Sequence, residues 1–214
     1  MIPEATVARL TLYERALIEL VDSGIDTVSS SQLAELAGVN AAKIRKDVSY
    51  LGSCGTRGVG YHVNLLLKEI RVVLGGGDPS PVVIVGAGNL GRALSRYDGF
   101  QSGGFPIVGL VDSDLSVVGK SIAGIEVRHI GDLKQLVRET GCLVGIIATP
   151  SAAAQEVADR LVAAGLRSIL NFAPALVYVP SGVKLRKVDL ATELQILGYY
   201  EHHRSDDSPY VYRP

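Results

Sequence analysis

The stretch Val82-Val-Ile-Val-Gly-Ala-Gly-Asn-Leu-Gly-Arg-Ala-Leu94 constrains this chain more than any other. A β-branched run leads directly into Gly86-x-Gly88-x-x-Gly91, and small and apolar residues at helical spacing follow. Glycine is needed at each of the three places for a different reason. Gly86 permits a tight turn off the strand, Gly88 lets a pyrophosphate approach the backbone, and Gly91 allows helix and sheet to pack closely. The first helical N–H groups then point at the phosphates, where the helix dipole favours negative charge. Gly86, Ala87, Gly88, Asn89, Leu90 and Gly91 are therefore expected to bind a dinucleotide. A second strand, Pro106-Ile-Val-Gly-Leu-Val-Asp112, ends in an acid. Asp112 there suits a free ribose 2′-OH and would repel a 2′-phosphate, and no arginine follows it, so NAD(H) is preferred to NADP(H). Its spacing exceeds the usual interval of about 20 residues, and a loop around residues 99–104 is expected to absorb the excess.

Beyond the glycines the pattern alternates. Strands are expected at 106–111, 125–130, 143–148, 168–171 and 183–188, with helices at 132–140 and 152–164. Strands buried on both faces and separated by helices imply an α/β fold with a doubly wound, mostly parallel sheet. Thr149-Pro150 and Asn171 then fall at the carboxyl ends of strands, where ligands of such sheets bind. Each is equally readable as a plain strand-to-helix turn.

Ahead of this sheet lies a segment of different character. Leu10, Tyr13, Leu17 and Leu20 or Val21 recur at helical spacing, so an amphipathic helix is expected over 3–21. Ser29 and Gln32 have capping-box spacing, and Gly38 ends the helix they open. In the next helix, 41–51, Ile44, Val48 and Leu51 share one face, while Lys43, Lys46 and Tyr50, flanked by Arg45 and Ser49, make up the other. Helix, Gly-containing turn, helix is the pattern whose second helix enters the DNA major groove. The glycine-rich run that follows suits a hairpin presenting Arg57, a wing beside a recognition helix. Between Lys43 and Arg57 stand four cations and one acid, Asp47. A winged-helix DNA-binding domain is expected over 1–78, ending at Gly75-Gly-Gly-Asp-Pro-Ser-Pro81, and the dinucleotide domain over 79–188.

With a net charge of −1 the chain carries no global basic field, so nucleic acid must be met by a local patch. Its two cysteines, Cys54 and Cys142, lie far apart, and no Cys/His cluster has metal-ligand spacing. A reducing cytoplasm is the expected compartment. There is no membrane-length apolar window and no signal-peptide core. Residues 189–204 are expected to form a terminal amphipathic helix that follows an already complete sheet, which suggests packing on a partner subunit, although docking on its own chain is the commoner outcome in general. Residues 205–214 form a short polar tail expected to be disordered.

Taken together, Ile44-Arg-Lys-Asp-Val-Ser-Tyr-Leu-Gly, Thr56-Arg-Gly-Val-Gly-Tyr61, the glycine stretch, Leu170-Asn-Phe-Ala-Pro174 and Val188-Asp-Leu-Ala-Thr-Glu-Leu-Gln195 resemble the Rex family of redox-sensing transcriptional repressors. The resemblance implies a homodimer with a domain-swapped C-terminal helix that binds inverted-repeat operator DNA when NADH is scarce and releases it when NADH accumulates. It also implies switch roles for Arg15, Tyr97 and Asp189. In the family the aspartate of one subunit engages the arginine in the DNA-bound form and the tyrosine near the nicotinamide in the other. The competing readings are a regulator sensing another nucleotide or a CoA-type ligand, a thiol sensor using the two cysteines, and an NAD-dependent dehydrogenase. The last would need a substrate domain and a positioned acid or base, for which too little chain remains after Asn171.

Overall fold

A computed structural model describes residues 2–52, 55–56, 60–76 and 78–203, which fall into two units dividing at Asp78 and Pro79. The first unit opens with α1 (Glu4–Asp22), a helix because Leu10, Tyr13, Leu17 and Leu20 recur every three or four residues and all are buried. There follow β1 (Thr27–Val28), α2 (Ser30–Leu36), α3 (Ala41–Ser49), β2 (Gly55–Thr56), β3 (Gly60–His62) and α4 (Val63–Val73). The expected capping box forms: the Ser29 side chain accepts from the Gln32 N–H at 3.2 Å, and Gln32 accepts from the Ser29 N–H at 3.0 Å. Gly38 ends the turn with φ +65°, and Asn40 caps α3 by accepting from the Lys43 N–H at 2.8 Å. β3 lies between β1 and β2, antiparallel to both, which makes the unit a winged helix.

One feature of α3 departs from a simple amphipathic reading. Asp47 does not share the cationic face; it is 1 % exposed, among Leu10, Ile44 and Val48 in the buried interior. Its carboxylate accepts from Thr6 Oγ1 (2.9 Å), Arg9 Nε and Nη2 (2.6 and 2.8 Å) and the Tyr13 hydroxyl (2.8 Å). Burial pushes this carboxyl up, but the Arg9, Tyr13 and Thr6 bonds outweigh it and hold the group below the usual carboxylate range. The same contact raises Arg9, while burial and then Asp47 raise Tyr13.

The second unit is built on a seven-stranded sheet. Its strands are β4 (Val82–Val85), β5 (Ile107–Asp112), β6 (Ser121–Ile122), β7 (Ile125–His129), β8 (Val144–Ile147), β9 (Ser168–Asn171) and β10 (Lys184–Lys187). Their spatial order is β10-β9-β8-β4-β5-β7-β6. Every pairing is parallel except β6 with β7. Leaving out that hairpin edge, the chain order is the 3-2-1-4-5-6 of a doubly wound dinucleotide fold.

β4 is central and buried along its whole length. Alternate residues feed the two cores, Val83 and Val85 with Leu136, Val157 and Leu161, and Val82 and Ile84 with Leu110, Val127 and Ile146. The helices are α5 (Asn89–Ser95), α6 (Asp98–Ser102), α7 (Leu133–Thr140), α8 (Ala154–Ala163) and α9 (Leu190–His202). Residues 99–104, expected as a loop, include most of α6, and the β6 edge was not expected at all. Cys142 is buried, which pushes its thiol up to about 11 and leaves it protonated and inert. Among the described residues no helix is long and apolar enough to cross a membrane, and no group of three or more His, Cys, Asp or Glu side chains could hold a metal ion.

Two stability predictions follow from these contacts. A methyl group on Gly91 would lie 1.8 Å from the Gly86 carbonyl oxygen, so Gly91→Ala should cost at least about 1–3 kcal/mol and lower the thermal midpoint. Because the folded Asp47 pKa lies below its unfolded value, its contribution is present above about pH 4 and is lost as pH falls through the folded value. Unfolding free energies measured over the acid range should therefore fall less steeply with decreasing pH in Asp47→Asn than in the unsubstituted chain.

Candidate dinucleotide site and nucleic-acid interface

At the carboxyl end of β4 the chain turns through Gly86 at φ +105°, where a Cβ would meet the Ala148 carbonyl oxygen at 2.5 Å. Gly88, capping α5, has open space where its Cβ would be. Gly91 sits directly over the Gly86 carbonyl. Gly86 and Gly91 thus each meet a separate steric demand of the fold, while at Gly88 the space is left open. Two side chains brace the turn between them. Asp112, ending β5, accepts from the Ala87 N–H at 2.6 Å through Oδ2 and from the Asp114 N–H at 2.9 Å through Oδ1. Arg92 donates from Nε to the Ala87 carbonyl at 2.8 Å. A carboxylate has about four acceptor positions, so Asp112 keeps capacity for hydroxyl donors after bracing the loop.

β4 and β8 flank the point where the strand order reverses, which is where ligands of such sheets bind. A cavity of about 110 Å³ lies there, lined by residues that include Gly86, Asp112, Thr149, Ala153, Glu156 and Arg160. Thr149 Oγ1 is buried without a hydrogen-bond partner. A buried hydroxyl in that condition carries a desolvation cost of about 1–3 kcal/mol, which a ligand donor or acceptor would offset. Pro150 follows it, exposed at the start of a 3-10 turn, Ser151–Ala153.

Asn171 is different in kind. It is 1 % exposed, and its carboxamide accepts from the Ala173 N–H at 2.8 Å and donates to the Ala175 carbonyl at 3.3 Å. Its polar atoms hold the turn after β9. Tyr97, at the start of α6, is 60 % exposed and stacks edge-on against Phe100 with ring centroids 5.1 Å apart. Asp189 caps α9 by accepting from the Thr192 N–H at 3.2 Å and lies 2.8 Å from Lys187 Nζ. The Lys187 bond and the Thr192 N–H keep its carboxyl below the usual range. No residue of α9 is buried, and Leu190, Leu194, Leu197, Tyr199 and Tyr200 are each more than half exposed.

In the first unit, Lys43, Arg45, Lys46, Ser49 and Tyr50 all lie on the exposed side of α3. The Arg45 guanidinium reaches Ser30 Oγ on α2 at 3.3 Å, and the Ser49 hydroxyl donates to the Lys46 carbonyl at 2.6 Å. Arg15 is exposed on α1. Arg57, Cys54 and residues 205–214 lie outside the described residues.

Comparison with known proteins agrees with this division. Residues 1–49 match a family described as "Putative DNA-binding protein N-terminus", and residues 78–175 match the "CoA binding domain" family. Over 206 residues the chain is 56 % identical to the redox-sensing transcriptional repressor Rex of Streptomyces coelicolor, covering 96 % of this chain and 80 % of that one. It is 50 % identical to the Rex of Desulforamulus reducens, covering 92 % and 94 %. The chain belongs to the Rex family. Two crystal structures of RSP, one with β-NAD+ and operator DNA and one with β-NADH, superimpose with TM-scores of 0.88 and 0.85 at 34 % and 33 % identity. They cover 94 % of this chain and 94 % and 96 % of theirs. Membership of Rex makes this chain a redox-sensing transcriptional regulator rather than a dehydrogenase.

Sequence reasoning missed Arg92 bracing the glycine turn, Glu156 and Arg160 lining the cavity, and the bonds that Thr6, Arg9 and Tyr13 make to Asp47 of α3. Arg92 follows directly on the glycine motif, so its position was the available signal. Glu156 and Arg160, paired at 2.8 Å, have the i, i+4 spacing of any solvated ion pair, which conceals that they line a cavity. Because both ends of the Asn171 carboxamide are used internally, Asn171→Ala should leave the Ala173 N–H unpaired. A loss of about 1–3 kcal/mol is expected, measured by thermal or urea unfolding.

Proposed function

We propose that this chain is a homodimeric repressor that holds inverted-repeat operator DNA through its first unit and lets go when NADH occupies its second. The observation that carries the cofactor reading is the Gly86–Gly91 turn, open at Gly88 and braced by Asp112. In this reading Gly86, Ala87, Gly88, Asn89, Leu90 and Gly91 hold the pyrophosphate. Asp112 takes the adenosine ribose hydroxyls, and Thr149 and Pro150 flank the adenine side. Asn171 shapes the turn beneath the nicotinamide side, and Tyr97 stands beside the ring.

The likeness of residues 78–175 to CoA-binding domains raises a second ligand. CoA carries a phosphate on its adenosine ribose, as NADPH does, and either phosphate would meet the Asp112 carboxylate. A bare diol makes hydrogen bonds there instead, which favours NADH and NAD+. The RSP complexes with β-NADH and with β-NAD+ and operator DNA support carrying both ligands to this chain.

On the DNA side, Lys43, Arg45 and Lys46 supply cations for phosphates and base edges, with Ser49 and Tyr50 beside them and Arg57 on the wing. A terminal helix with its apolar residues in solvent, as α9 has, supports exchange of that helix between two copies. Asp189 at its start then passes between Arg15 and Tyr97 as the ligand state changes. Its carboxyl stays ionised because Lys187 and the helix N-terminus stabilise the charge, so it can serve either partner. Coupling of about 1–3 kcal/mol would change operator affinity roughly 5- to 150-fold. One or two charge-assisted hydrogen bonds can supply this. The cytoplasm, where NADH and DNA meet, is the proposed compartment.

Anisotropy titrations of a labelled inverted-repeat duplex test the proposal. NADH should release the duplex, while NAD+, NADPH and CoA should do so weakly or not at all. Retention of the duplex at saturating NADH would refute it. Asp112→Ala should weaken NADH binding, by at least about tenfold if one charge-assisted hydrogen bond to ribose is lost, and leave DNA binding intact. Lys46→Ala should do the reverse.

A further inference from the structure

Asp47 is a charged residue of α3 that faces the buried interior, away from the exposed side that carries Lys43, Arg45 and Lys46. An apolar side chain would fill its place without the cost of burying a charge, and buried ion pairs are weak evidence for stability. What the carboxylate adds is direction. Both its oxygens are engaged, and every bond comes from α1: Thr6, Arg9 through two nitrogens, and Tyr13. These three residues, spaced i, i+3, i+7, form one face of that helix. Apolar packing of Ile44 and Val48 is non-directional, so it resists rotation of α3 about its axis less sharply than oriented hydrogen bonds do. A side-chain tip stands roughly 5–6 Å from a helix axis, so a turn of about 20° carries it about 2 Å. Hydrogen bonds to base edges do not survive a shift of that size, whereas attraction to phosphates largely does. Arg15 lies two residues beyond Tyr13 and is exposed, on the opposite side of α1.

We infer that Asp47, held by Arg9, Tyr13 and Thr6, is a positioning residue for operator recognition. It fixes the rotation of α3 against α1, so that Lys43, Arg45, Lys46 and Ser49 meet the bases in register. A displacement of α1 at Arg15 then reaches the reading face as a rigid movement. This inference rests on the DNA-reading role proposed above for α3, and it assigns Asp47 no contact with DNA.

The test measures affinity for an operator duplex and for a scrambled duplex of equal length at one salt concentration. The unsubstituted chain is compared with Arg9→Lys and Tyr13→Phe, both of which leave the net charge at neutral pH unchanged. Arg9→Lys removes the two-pronged grip, and Tyr13→Phe removes one hydroxyl but keeps the ring, so the second variant stays informative if the first melts early. Arg9→Lys should lose about tenfold in operator affinity, the scale of one misaligned base contact, and Tyr13→Phe a smaller part of that. Scrambled-duplex affinity and the NADH isotherm should stay within about twofold. A fall in the operator-to-scrambled ratio with folding intact supports the inference. An unchanged ratio in both variants, or equal losses on the two duplexes, overturns it and leaves Asp47 a stability element only. Lys46→Ala runs in parallel: if it weakens neither duplex, the assignment of α3 itself fails, and the inference falls with it for that separate reason.

Discussion

The second unit depends on one close approach. Helix α5 can start where it does only because Gly91 has no Cβ to collide with the Gly86 carbonyl, 1.8 Å from where that atom would lie. Move the helix outward to make room and its N-terminus no longer faces the end of β4. The cradle at Gly88 opens, and the Asp112 bond to Ala87 lengthens. The open turn at Gly88, the Asp112 brace and the packing of α5 on the sheet are therefore consequences of a single missing methyl group, held in place by a strand buried along its whole length.

Buried polar groups in the two units fall into two sorts. Asp47 and Asn171 are each 1 % exposed and hydrogen-bonded from their own chain, so their polarity serves internal geometry. Thr149 Oγ1 is buried and unpartnered, and it belongs to the residues lining a cavity. Because an unmade bond in the interior costs more than a made bond contributes, the first sort is satisfied within the chain and the second is left with an uncompensated cost. That distinction separates two positions, Thr149 and Asn171, which look alike as polar residues at strand ends.

Much of the architecture was legible beforehand. Glycine spacing, a capping box and apolar periodicity each report a local steric or hydrogen-bonding demand, so the βαβ unit, the helix-turn-helix and the terminal helix could be placed from neighbouring residues alone. The short helix α6 escaped because Gly99, Gly103 and Gly104 read as a loop; yet Gly99 lets the Tyr97 ring lie where a Cβ would be only 2.5 Å away. The β6 edge escaped because a two-residue strand has no periodicity to detect.

The sequence by itself determined most of the strands and helices, where the chain divides, and which turn its glycines leave open. Those properties are set within a few residues of each other along the chain. Only the tertiary structure decided what Asp47 does. A count of charges between Lys43 and Arg57 makes it one acid among cations, but its partners lie 34 to 41 residues away on α1. The same holds for Glu156 and Arg160, which share a cavity with Asp112. A side chain's role follows from what it faces across space, and helical spacing gives the direction of a side chain without saying which distant element will meet it.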